Sequence, residues 1–384
     1  MKFRPFALTA MAALMASAAP AMAQAEEAAM VAGVAADADF QRFAPRPSGK
    51  ATQLDYSFYD DALEYMVLRM GQSTRDGMGR PDPNLGTRRV FGHDSRYRLE
   101  GNRVVFSFLA DEALLPLTEY RQDLERIASE VDIATLPRNE QLAFWMNLHN
   151  VSVIEQIGRN YPSPSPSRLK LGPDKTSLDT TRFINVGGVV MSPRDIRMRI
   201  VFPNWNDPDV IYGFFRGEIG GPSIQRRAFT GTNVDELLDV SAREFVNSLR
   251  GVEGYGSNLL VSAIYEEAAP FYFPQMGADL KAHLSTHSEE IVSGLIAEKP
   301  NVKVNQYIDT VADLAGGERE MNFFNVESDG MMQSARITPS IARMLRERAE
   351  KMEKLRKEGQ LQGRVIVLPP GSVKEETPPA PEVE

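Results

Sequence analysis

The chain has 384 residues, of which 42% are hydrophobic and 25% are charged, as is ordinary for a globular protein with a sizeable core. It contains no cysteine, which excludes disulfides, a thiolate nucleophile, cysteine-ligated metal and a lipid-anchoring cysteine. The formal net charge of −9 repels polyanions, and Arg226-Arg227 is too small a basic patch to override it, so we expect no nucleic-acid partner.

The first residues carry the pattern of a secretory signal peptide. Two basic residues precede an apolar run over residues 6–19, and Ala21-Met22-Ala23 is a small-residue cleavage site. We therefore predict cleavage before Gln24 and a soluble mature protein in the periplasm or outside the cell. No later run reaches the roughly 20 apolar residues that a membrane-spanning helix needs, so we expect no membrane span.

Composition and periodicity divide the chain into six consecutive segments. They are a signal peptide (1–23), a flexible leader (24–50), an N-terminal helical region (51–135), a main domain (136–335), a charged helix (336–362) and a disordered, acidic, proline-rich tail (363–384). The predicted fold class is α+β, with one helix-rich domain around a buried central helix. A small β-sheet or hairpins and helical appendages at both ends complete it.

Before the central helix, apolar spacing and turn residues predict four elements. They are a helix over Tyr56–Met70, a loop over 71–89, a short strand over Val104–Leu109 and a helix over Leu114–Glu130.

The stretch from Asn139 to Ile154 is the predicted central helix. We expect about four turns that end before Tyr161-Pro162, and apolar residues on every side indicate that the helix is buried. Asn147 and Asn150 lie about 60° apart around the helix, while His149 points about 160° away from Asn147, so the three cannot serve one cleft.

After the central helix, the pattern alternates between strands and helices. The predicted elements are a hairpin over Phe183–Met191 around Gly187-Gly188, a helix starting after Ser192, a strand over Val210–Phe215, a helix after Asn233, a helix over Lys281–Leu295, a strand over Val302–Ile308 and a charged helix over Ile341–Lys357.

Three polar residues of the central helix are weak catalytic candidates. Glu140 and Asn147 lie near one face and can line a polar site, or they can belong to a buried network that fixes loops against the core. We expect the Asn147 amide to be buried and paired with backbone groups of the 183–188 hairpin or of the glycine loop at 217–223. His149 is either a general base or a satisfied core histidine, and the sequence assigns it no catalytic partner.

His283 and His287 have the i, i+4 spacing with which two imidazoles can share one metal ion, and Glu290 follows one turn later. Structural zinc needs about four ligands, and the neighbouring polar residues are typical of an exposed helix face. We therefore predict a solvated face, weak or absent zinc binding and no cofactor.

The glycine-rich loop from Gly217 to Ser223 is a weak candidate for anion binding. Its glycines at 217, 220 and 221 resemble a phosphate cradle, but the Gly-Lys-Ser/Thr sequence of a P-loop is missing. Arg216 and Arg226 flank it, so a carboxylate or other anion site is one interpretation. A turn that simply reverses the chain is the other.

The sequence of residues 139–150, Asn-Glu-Gln-Leu-Ala-Phe-Trp-Met-Asn-Leu-His-Asn, resembles the asparagine-rich helix of the domain of unknown function 547 family. Further pieces follow in the family's order over roughly Leu136 to Phe273, namely Phe183-Ile184-Asn185, Ser192-Pro193-Arg194-Asp195-Ile196, Asp207-Pro208, the glycine loop, Ala228-Phe229-Thr230-Gly231 and Ser262-Ala263-Ile264-Tyr265. The resemblance implies a mixed α and β domain without an established activity.

The resemblance also implies chemistry that this chain lacks. Members commonly carry a histidine before the glycine loop and two cysteines in it, and the matching positions here are Ile211, Arg216 and Gly221. The usual tyrosine of the central motif is replaced by His149. Any papain-like or transglutaminase-like site at these positions is therefore lost in this chain.

Two functional hypotheses remain. The first is a non-catalytic binding or scaffold protein of the cell envelope, with an envelope protein or polymer as its partner. The second is a hydrolase or transferase acting on envelope polymers, with Glu140, Asn147 and the Arg216 loop lining its cleft and a carboxyl of raised pKa as its acid. The sequence leaves the oligomeric state open.

Overall fold

The computed structural model describes residues 38–83, 88–109, 111–317 and 338–359. The predicted signal peptide, residues 24–37 of the predicted leader and the predicted acidic tail lie outside these residues. Within the described ranges, no helix is long and apolar enough to cross a membrane. The fold is α+β, as predicted, with many helices and small antiparallel or mixed sheets.

The α-helices are α1 (Ala38–Gln41), α2 (Ser57–Met66), α3 (Leu115–Glu130), α4 (Arg138–Arg159), α5 (Pro193–Asp195), α6 (Phe202–Asn204), α7 (Val234–Val246), α8 (Ala263–Tyr272), α9 (Met276–His287), α10 (Glu290–Glu298) and α11 (Pro339–Lys357). A π-helical turn, Ile196–Val201, joins α5 to α6. Short 3₁₀ turns are Phe106–Phe108, Asp111–Leu114, Ile133–Thr135, Pro166–Arg168 and Pro208–Gly213.

The strands form one three-stranded sheet and three two-stranded ladders. The strands are β1 (Val67–Leu68), β2 (Arg103–Val104), β3 (Lys170–Leu171), β4 (Thr176–Ser177), β5 (Ile184–Val186), β6 (Val189–Met191), β7 (Val252–Tyr255), β8 (Asn258–Val261) and β9 (Asn301–Val304). β1 pairs with β2, β3 with β4 and β5 with β6, all antiparallel. In the larger sheet, β8 pairs antiparallel with β7 and parallel with β9.

The central helix is α4, and it is longer than predicted. It runs for 22 residues, or about six turns, and ends at Arg159 just before the predicted stop at Tyr161-Pro162. Residues from Glu140 to Glu155 are buried without a break, so the prediction of a helix buried on all sides is confirmed. It packs against α3, α7 and the π-helical turn inside one continuous apolar core.

Two predicted strands are largely turns. Residues 208–213 form a 3₁₀ turn, started by Pro208 and by the Asp207 carboxylate, which accepts a hydrogen bond from Asp209 N. An apolar run of this length is equally compatible with a buried helical segment, and the polar cap decides in favour of the turn. The predicted strand Val104–Leu109 is reduced to the two residues of β2, followed by the Phe106–Phe108 turn.

The predicted helix Lys281–Leu295 is interrupted after His287. Asn247 stabilises the break, because its Nδ2 donates to His287 O (2.9 Å) and its Oδ1 accepts from Glu289 N (2.7 Å). The break separates Glu290 from the two histidines. Glu290 instead lines a surface cavity with Arg75 and Asn247.

The charged C-terminal helix, α11, packs on the rest of the molecule through a second, smaller core. That core consists of Met70, Leu99, Leu314, Ala315, Ile341 and Met344. Buried polar contacts reinforce it, since Arg98 pairs with Glu347 (2.7 Å) and Lys351 Nζ donates to Leu99 O (2.8 Å).

Candidate functional site

A cavity of about 210 Å³ lies beside α4 and combines charged and apolar walls. Its lining residues are Val153, Ser167, Leu178, Asp179, Arg216, Glu218, Ala263, Ile264, Glu267 and Tyr307. They come from α4, the Pro166–Arg168 turn, the segment after β4, the glycine loop with Arg216 before it, α8 and the segment after β9. Mixed walls of this kind are typical of small-molecule sites, in which a few polar groups orient a ligand against an apolar surface.

Arg197, on the π-helical turn, is fully buried behind this cavity and organises its charges. Its two Nη atoms bind both oxygens of Asp179 (2.8 and 2.9 Å), and its Nε donates to Glu267 Oε1 (3.0 Å). Arg216 Nη1 donates to the other oxygen of Glu267 (2.6 Å). Two guanidinium groups and two carboxylates therefore form one closed cluster, which we call the Arg197 cluster.

The carboxylates of the Arg197 cluster are ionised. Burial raises the pKa of Asp179, but the charges of Arg197 and Arg216 outweigh it and hold that pKa well below its usual range. The same balance sets the pKa of Glu267, where burial is outweighed by the two arginines and the result is about 2. Each negative charge in the cluster thus has a positive neighbour.

His149 belongs to this cluster as a neutral, satisfied side chain. Arg197 Nη1 donates to its Nε2 (2.9 Å), so Nδ1 carries the proton and faces Asn150 Oδ1 (3.0 Å). Burial, followed by the nearby charge of Arg197, lowers the pKa of His149 to about 3. The ring has no free lone pair with which to act as a general base.

Glu218 differs from the other carboxyls of the cavity because it has no cationic partner among the described residues. Its Oε1 accepts a hydrogen bond from Ser167 N (2.6 Å), and burial raises its pKa to about 7. The Tyr307 hydroxyl faces the same carboxyl at a geometry short of a regular hydrogen bond. Glu218 is therefore the group of this cavity that changes charge near neutral pH.

The glycine loop holds Arg216 and Glu218 in place through its backbone. Ile219 N donates to Thr310 O (2.8 Å) and Gly220 N to Ile308 O (2.9 Å), so the loop runs alongside residues 308–312. A Cβ at Gly220 would lie 2.7 Å from Ile308 N, and Gly217 has a φ of +79°. Glycine is needed at both positions for this close backbone approach and for the left-handed turn.

The candidate anion-binding residues in and beside the glycine loop lie in different environments. Arg216 lines the cavity, and its Nε is buried with no hydrogen-bond acceptor in the part of the chain that the structure describes. A Cβ at Gly221 would lie 3.1 Å from the Tyr307 hydroxyl and 3.4 Å from Arg216 Cβ, so positions 216 and 221 are neighbours. Arg226 instead donates to Glu64 O, away from the cavity.

Asn147 does not face the cavity. It is buried, and its amide makes two hydrogen bonds with one residue: Nδ2 donates to Phe229 O (2.7 Å), and Oδ1 accepts from Phe229 N (3.0 Å). The predicted burial and backbone pairing are confirmed. The predicted partners, the 183–188 hairpin and the loop at 217–223, are wrong, because the Ala228–Gly231 segment takes this place.

Glu140 also binds the Ala228–Gly231 segment. Its carboxylate accepts from Gly231 N (3.1 Å) and from Leu54 N (3.1 Å). It lines a second cavity, of about 280 Å³, together with Asp60 and Arg227. Glu140, Asn147 and Arg216 therefore do not converge on one cleft.

His283 and His287 are buried, contrary to the predicted solvated helix face. The side of α9 that carries them packs against the Pro208–Gly213 turn, which supplies Asp209 and Tyr212. Burial lowers the pKa of His283 to about 4. Asp209, and not the predicted Glu290, completes a group of three side chains whose donor atoms lie within 4.8 Å of one another.

Sequence reasoning missed the four charged residues that define the cavity chemistry, namely Asp179, Arg197, Glu218 and Glu267. The one local signal was the placement of Arg197 between Ile196 and Met198, in a segment whose other apolar residues are also buried. Their partners are separated by 18 to 70 residues along the chain. Pairings of that length have no signature in a single sequence.

No curated protein and no solved structure matches this chain. One family model, described as Protein of unknown function, DUF547, matches residues 133–246. The matched segment begins at the turn before α4 and ends with α7, so it contains Asn147, His149, Arg197, Arg216 and Glu218. The resemblance predicted from the central motif is confirmed, and over residues 133–246 the chain is similar to the family Protein of unknown function, DUF547.

Proposed function

We propose that the protein is exported to the cell envelope and binds a small, hydroxylated envelope fragment, such as a sugar, in the cavity beside α4 without transforming it. The observation that carries this proposal is a pair of polar groups in one wall that lack a full set of partners among the described residues: the Glu218 carboxyl, which has no cation, and Arg216 Nε, which has no acceptor. Buried polar groups normally have partners, and a ligand with hydroxyl groups supplies both a donor and an acceptor.

The charge of the cavity selects the ligand class. The charges of the two carboxylates and two guanidinium groups of the Arg197 cluster cancel. Glu218 adds a partial negative charge near neutral pH. This balance favours a neutral or cationic ligand over an anion. Val153, Leu178 and Ile264 provide the apolar surface on which a sugar ring can pack.

The arrangement favours binding over catalysis because the nucleophiles are missing or occupied. The chain has no cysteine, and the positions to which the resemblance assigns cysteines hold Arg216 and Gly221. His149 is used by Arg197 and Asn150. Asp179 and Glu267 are held by arginines in the same way.

A thermal-shift screen of the purified protein against envelope-derived mono- and disaccharides and short muropeptides tests the binding proposal. A ligand at about a hundred times its dissociation constant stabilises the folded state by about 2.7 kcal/mol, which is readily measured. The Glu218→Gln and Arg216→Met variants should lose the shift. Glu290→Gln, in another surface cavity, is the matched control and should retain it.

A second function, acid-base catalysis on an envelope polymer, is favoured by one observation. The same cavity holds a carboxyl with a pKa of about 7, Glu218, and a carboxylate with a strongly lowered pKa, Asp179, and such divergence is typical of acid and base pairs. Release of product from an envelope polymer by the parent, and its loss in Glu218→Gln with ligand affinity retained, would favour the enzyme over the binding protein.

The export part of the proposal rests on the sequence of residues 1–23. Mass spectrometry of the protein isolated from its producing cell is expected to find Gln24 at the N-terminus. Retention of Met1 in the isolated protein would contradict export by a cleaved signal peptide.

A further inference from the structure

A second group of polar side chains, which shares no residue with the Arg197 cluster, has the composition of a metal site. Asp209 Oδ1 lies 2.8 Å from His287 Nε2 and 4.0 Å from His283 Nδ1. The three donor atoms lie within 4.8 Å of one another. Both imidazoles are more than 90% buried, so their orientation is fixed by packing.

Local geometry brings these side chains onto facing surfaces. His283 and His287 are one turn apart on α9, which places both rings on one side of the helix. Asp209 and Tyr212 are three residues apart in the Pro208–Gly213 3₁₀ turn, in which residues i and i+3 point the same way. Asp207 caps this turn and holds Asp209 at its start.

His287 lies between two carboxylates, and a neutral ring cannot satisfy both. Its Nε2 faces Asp209 at 2.8 Å, while its Nδ1 faces Asp239 at 3.7 Å and makes no hydrogen bond with any described residue. If Nε2 carries the proton, the lone pair of Nδ1 opposes Asp239. If Nδ1 carries it, the lone pair of Nε2 opposes Asp209, unless a second proton or a metal ion lies between those two atoms.

In each histidine, the ring nitrogen that faces away from Asp209 lies near a second polar group, as is typical of metal-binding histidines. His283 Nε2 contacts the Tyr212 hydroxyl (2.8 Å), which in turn contacts the Tyr265 hydroxyl (3.2 Å). His287 Nδ1 points toward Asp239, which is also bound by the exposed Arg243 (3.0 Å). Metal-binding histidines characteristically donate their second N–H to such a hydroxyl or carboxylate, which fixes the tautomer and the ring orientation.

The surroundings of the three side chains add further negative charge. Asp239 lies 3.7 Å from His287 Nδ1, and Asp207 stands two residues before Asp209 and caps the same turn. This is the opposite of the Arg197 cluster, in which each carboxylate has its own guanidinium. The field at His283 and His287 favours a cation.

From this geometry we propose that Asp209 Oδ1, His283 Nδ1 and His287 Nε2 bind one divalent transition-metal ion of the zinc class. Tetrahedral coordination with bonds of about 2.0–2.1 Å separates ligand atoms by about 3.3 Å, which lies between the two distances from Asp209. A water molecule or a substrate atom completes the coordination. Two imidazoles and one carboxylate with a free position are a known ligand set for zinc and for iron(II).

The proposal does not depend on the function of the cavity beside α4, because the two sites share no residue. It differs from the weak candidate given by sequence spacing, in which Glu290 followed the two histidines and for which weak or absent zinc binding was predicted. Glu290 lies beyond the helix break at Ser288 and lines a different cavity.

Equilibrium dialysis of chelator-treated protein against zinc, with metal quantified by mass spectrometry, tests the proposal. We expect one zinc ion per chain and a rise in the melting temperature of the loaded protein. Cobalt(II) serves as a spectroscopic probe, because nitrogen and oxygen ligands in a four- or five-coordinate site give visible absorption bands. His287→Gln and Asp209→Asn should each weaken zinc binding at least about tenfold.

Two variants sharpen the test. Glu290→Gln is the matched control and should leave zinc affinity unchanged. Asp239→Asn keeps all three ligands and should weaken binding by about tenfold, through loss of the acceptor behind His287.

The proposal is overturned if dialysis leaves less than about a tenth of an equivalent of zinc on the folded parent protein. It is equally overturned if Asp209→Asn and His287→Gln, both folded by circular dichroism, bind zinc as tightly as the parent does. In either case the three side chains form only a hydrogen-bonded contact between α9 and the Pro208–Gly213 turn.

Discussion

The central helix α4 buries polar side chains in two different ways on its two sides. On the side of His149 the partners are charges, since Arg197 connects the ring to Asp179 and Glu267. On the side of Asn147 the partners are peptide groups, since the amide forms a closed pair with the backbone of Phe229. The first arrangement depends on four ionisable groups, and the second on none.

This difference has consequences for stability and for function. Loss of one member of a buried ion cluster strongly destabilises the folded state. The remaining charges are then left without partners in a medium of low polarity. An amide that binds backbone loses at most two hydrogen bonds and responds little to pH. The first side can therefore form a ligand cavity with tunable charge, whereas the second side fixes the Ala228–Gly231 segment against α4.

Replacing Arg197 should have the largest effect. Arg197→Met leaves Asp179 and Glu267 with one guanidinium between them and removes the donor to His149. Breaking a buried pair in this way typically costs about 3–5 kcal/mol of unfolding free energy. We expect a value within this range and below its upper end, because the Asp179 side chain is 36% exposed at the cavity.

Urea unfolding of Arg197→Met measures this loss. Arg126→Met is the control, since Arg126 pairs with Asp123 and Glu130 on an exposed surface and should give little change in the midpoint. If the two variants had the same midpoint, the Arg197 cluster would not stabilise the fold, and the comparison between the two sides of α4 would fail.

Replacing Asn147 should have a smaller effect. Asn147→Ala leaves both the N–H and the C=O of Phe229 without a partner, and each abandoned buried group costs about 1–3 kcal/mol. We expect a total loss of about 2–4 kcal/mol in urea unfolding. Asn147→Asp should be worse, because a carboxylate oxygen replaces the donor that faces Phe229 O.

The outcome for Asn147 also separates the two functional hypotheses. Groups held for catalysis are often strained, so their removal can leave stability unchanged or increase it. An Asn147→Ala protein as stable as the parent would count against a structural role for this residue. It would favour a catalytic cleft at the Ala228–Gly231 segment.

The sequence predicted the side of Asn147 better than the side of His149. The uninterrupted apolar pattern of residues 139–154 required a buried helix, and burial of an amide required a backbone partner. That partner, Phe229, is 82 residues away. Its identity depends on which later segment packs against α4, and the periodicity of the sequence does not contain this information. Of the Arg197 cluster, the sequence analysis named Arg216. It missed Asp179 and Glu267, which look like ordinary surface charges in their own segments, and Arg197, whose partners lie far away along the chain.

His283 and His287 are a second case in which a partner distant in the sequence could not be predicted. Their i, i+4 spacing was visible in the sequence, but the neighbouring polar residues indicated an exposed face. Burial comes from the Pro208–Gly213 turn, which lies more than 70 residues earlier in the chain and had the pattern of a strand. The local sequence pattern therefore indicated the two histidines on α9. It could not indicate the Pro208–Gly213 turn, which supplies the third side chain of the group.

Glu218 sharpens the comparison, because it is a buried carboxyl on the charged side of α4 that has no arginine of its own. Its pKa is raised from 4.5 to about 7 by burial. Between these two values the folded state holds a proton that the unfolded state has released, so stability falls as pH rises through this range. The Asp179 and Glu267 carboxyls behave in the opposite way, since their lowered pKa values make the fold more stable above about pH 4 than below it.

Urea unfolding of the parent and of Glu218→Gln at pH 5 and at pH 8 isolates this contribution, because other titrating groups, His283 included, are common to both proteins. On going from pH 5 to pH 8, the parent should lose on the order of 1–3 kcal/mol relative to the variant. At pH 8 the variant should therefore be the more stable of the two, since the neutral amide avoids burying a charge. Equal pH dependence of the two proteins would mean that Glu218 is ionised throughout this range, which requires a cation beside it that the geometry of the cavity does not supply.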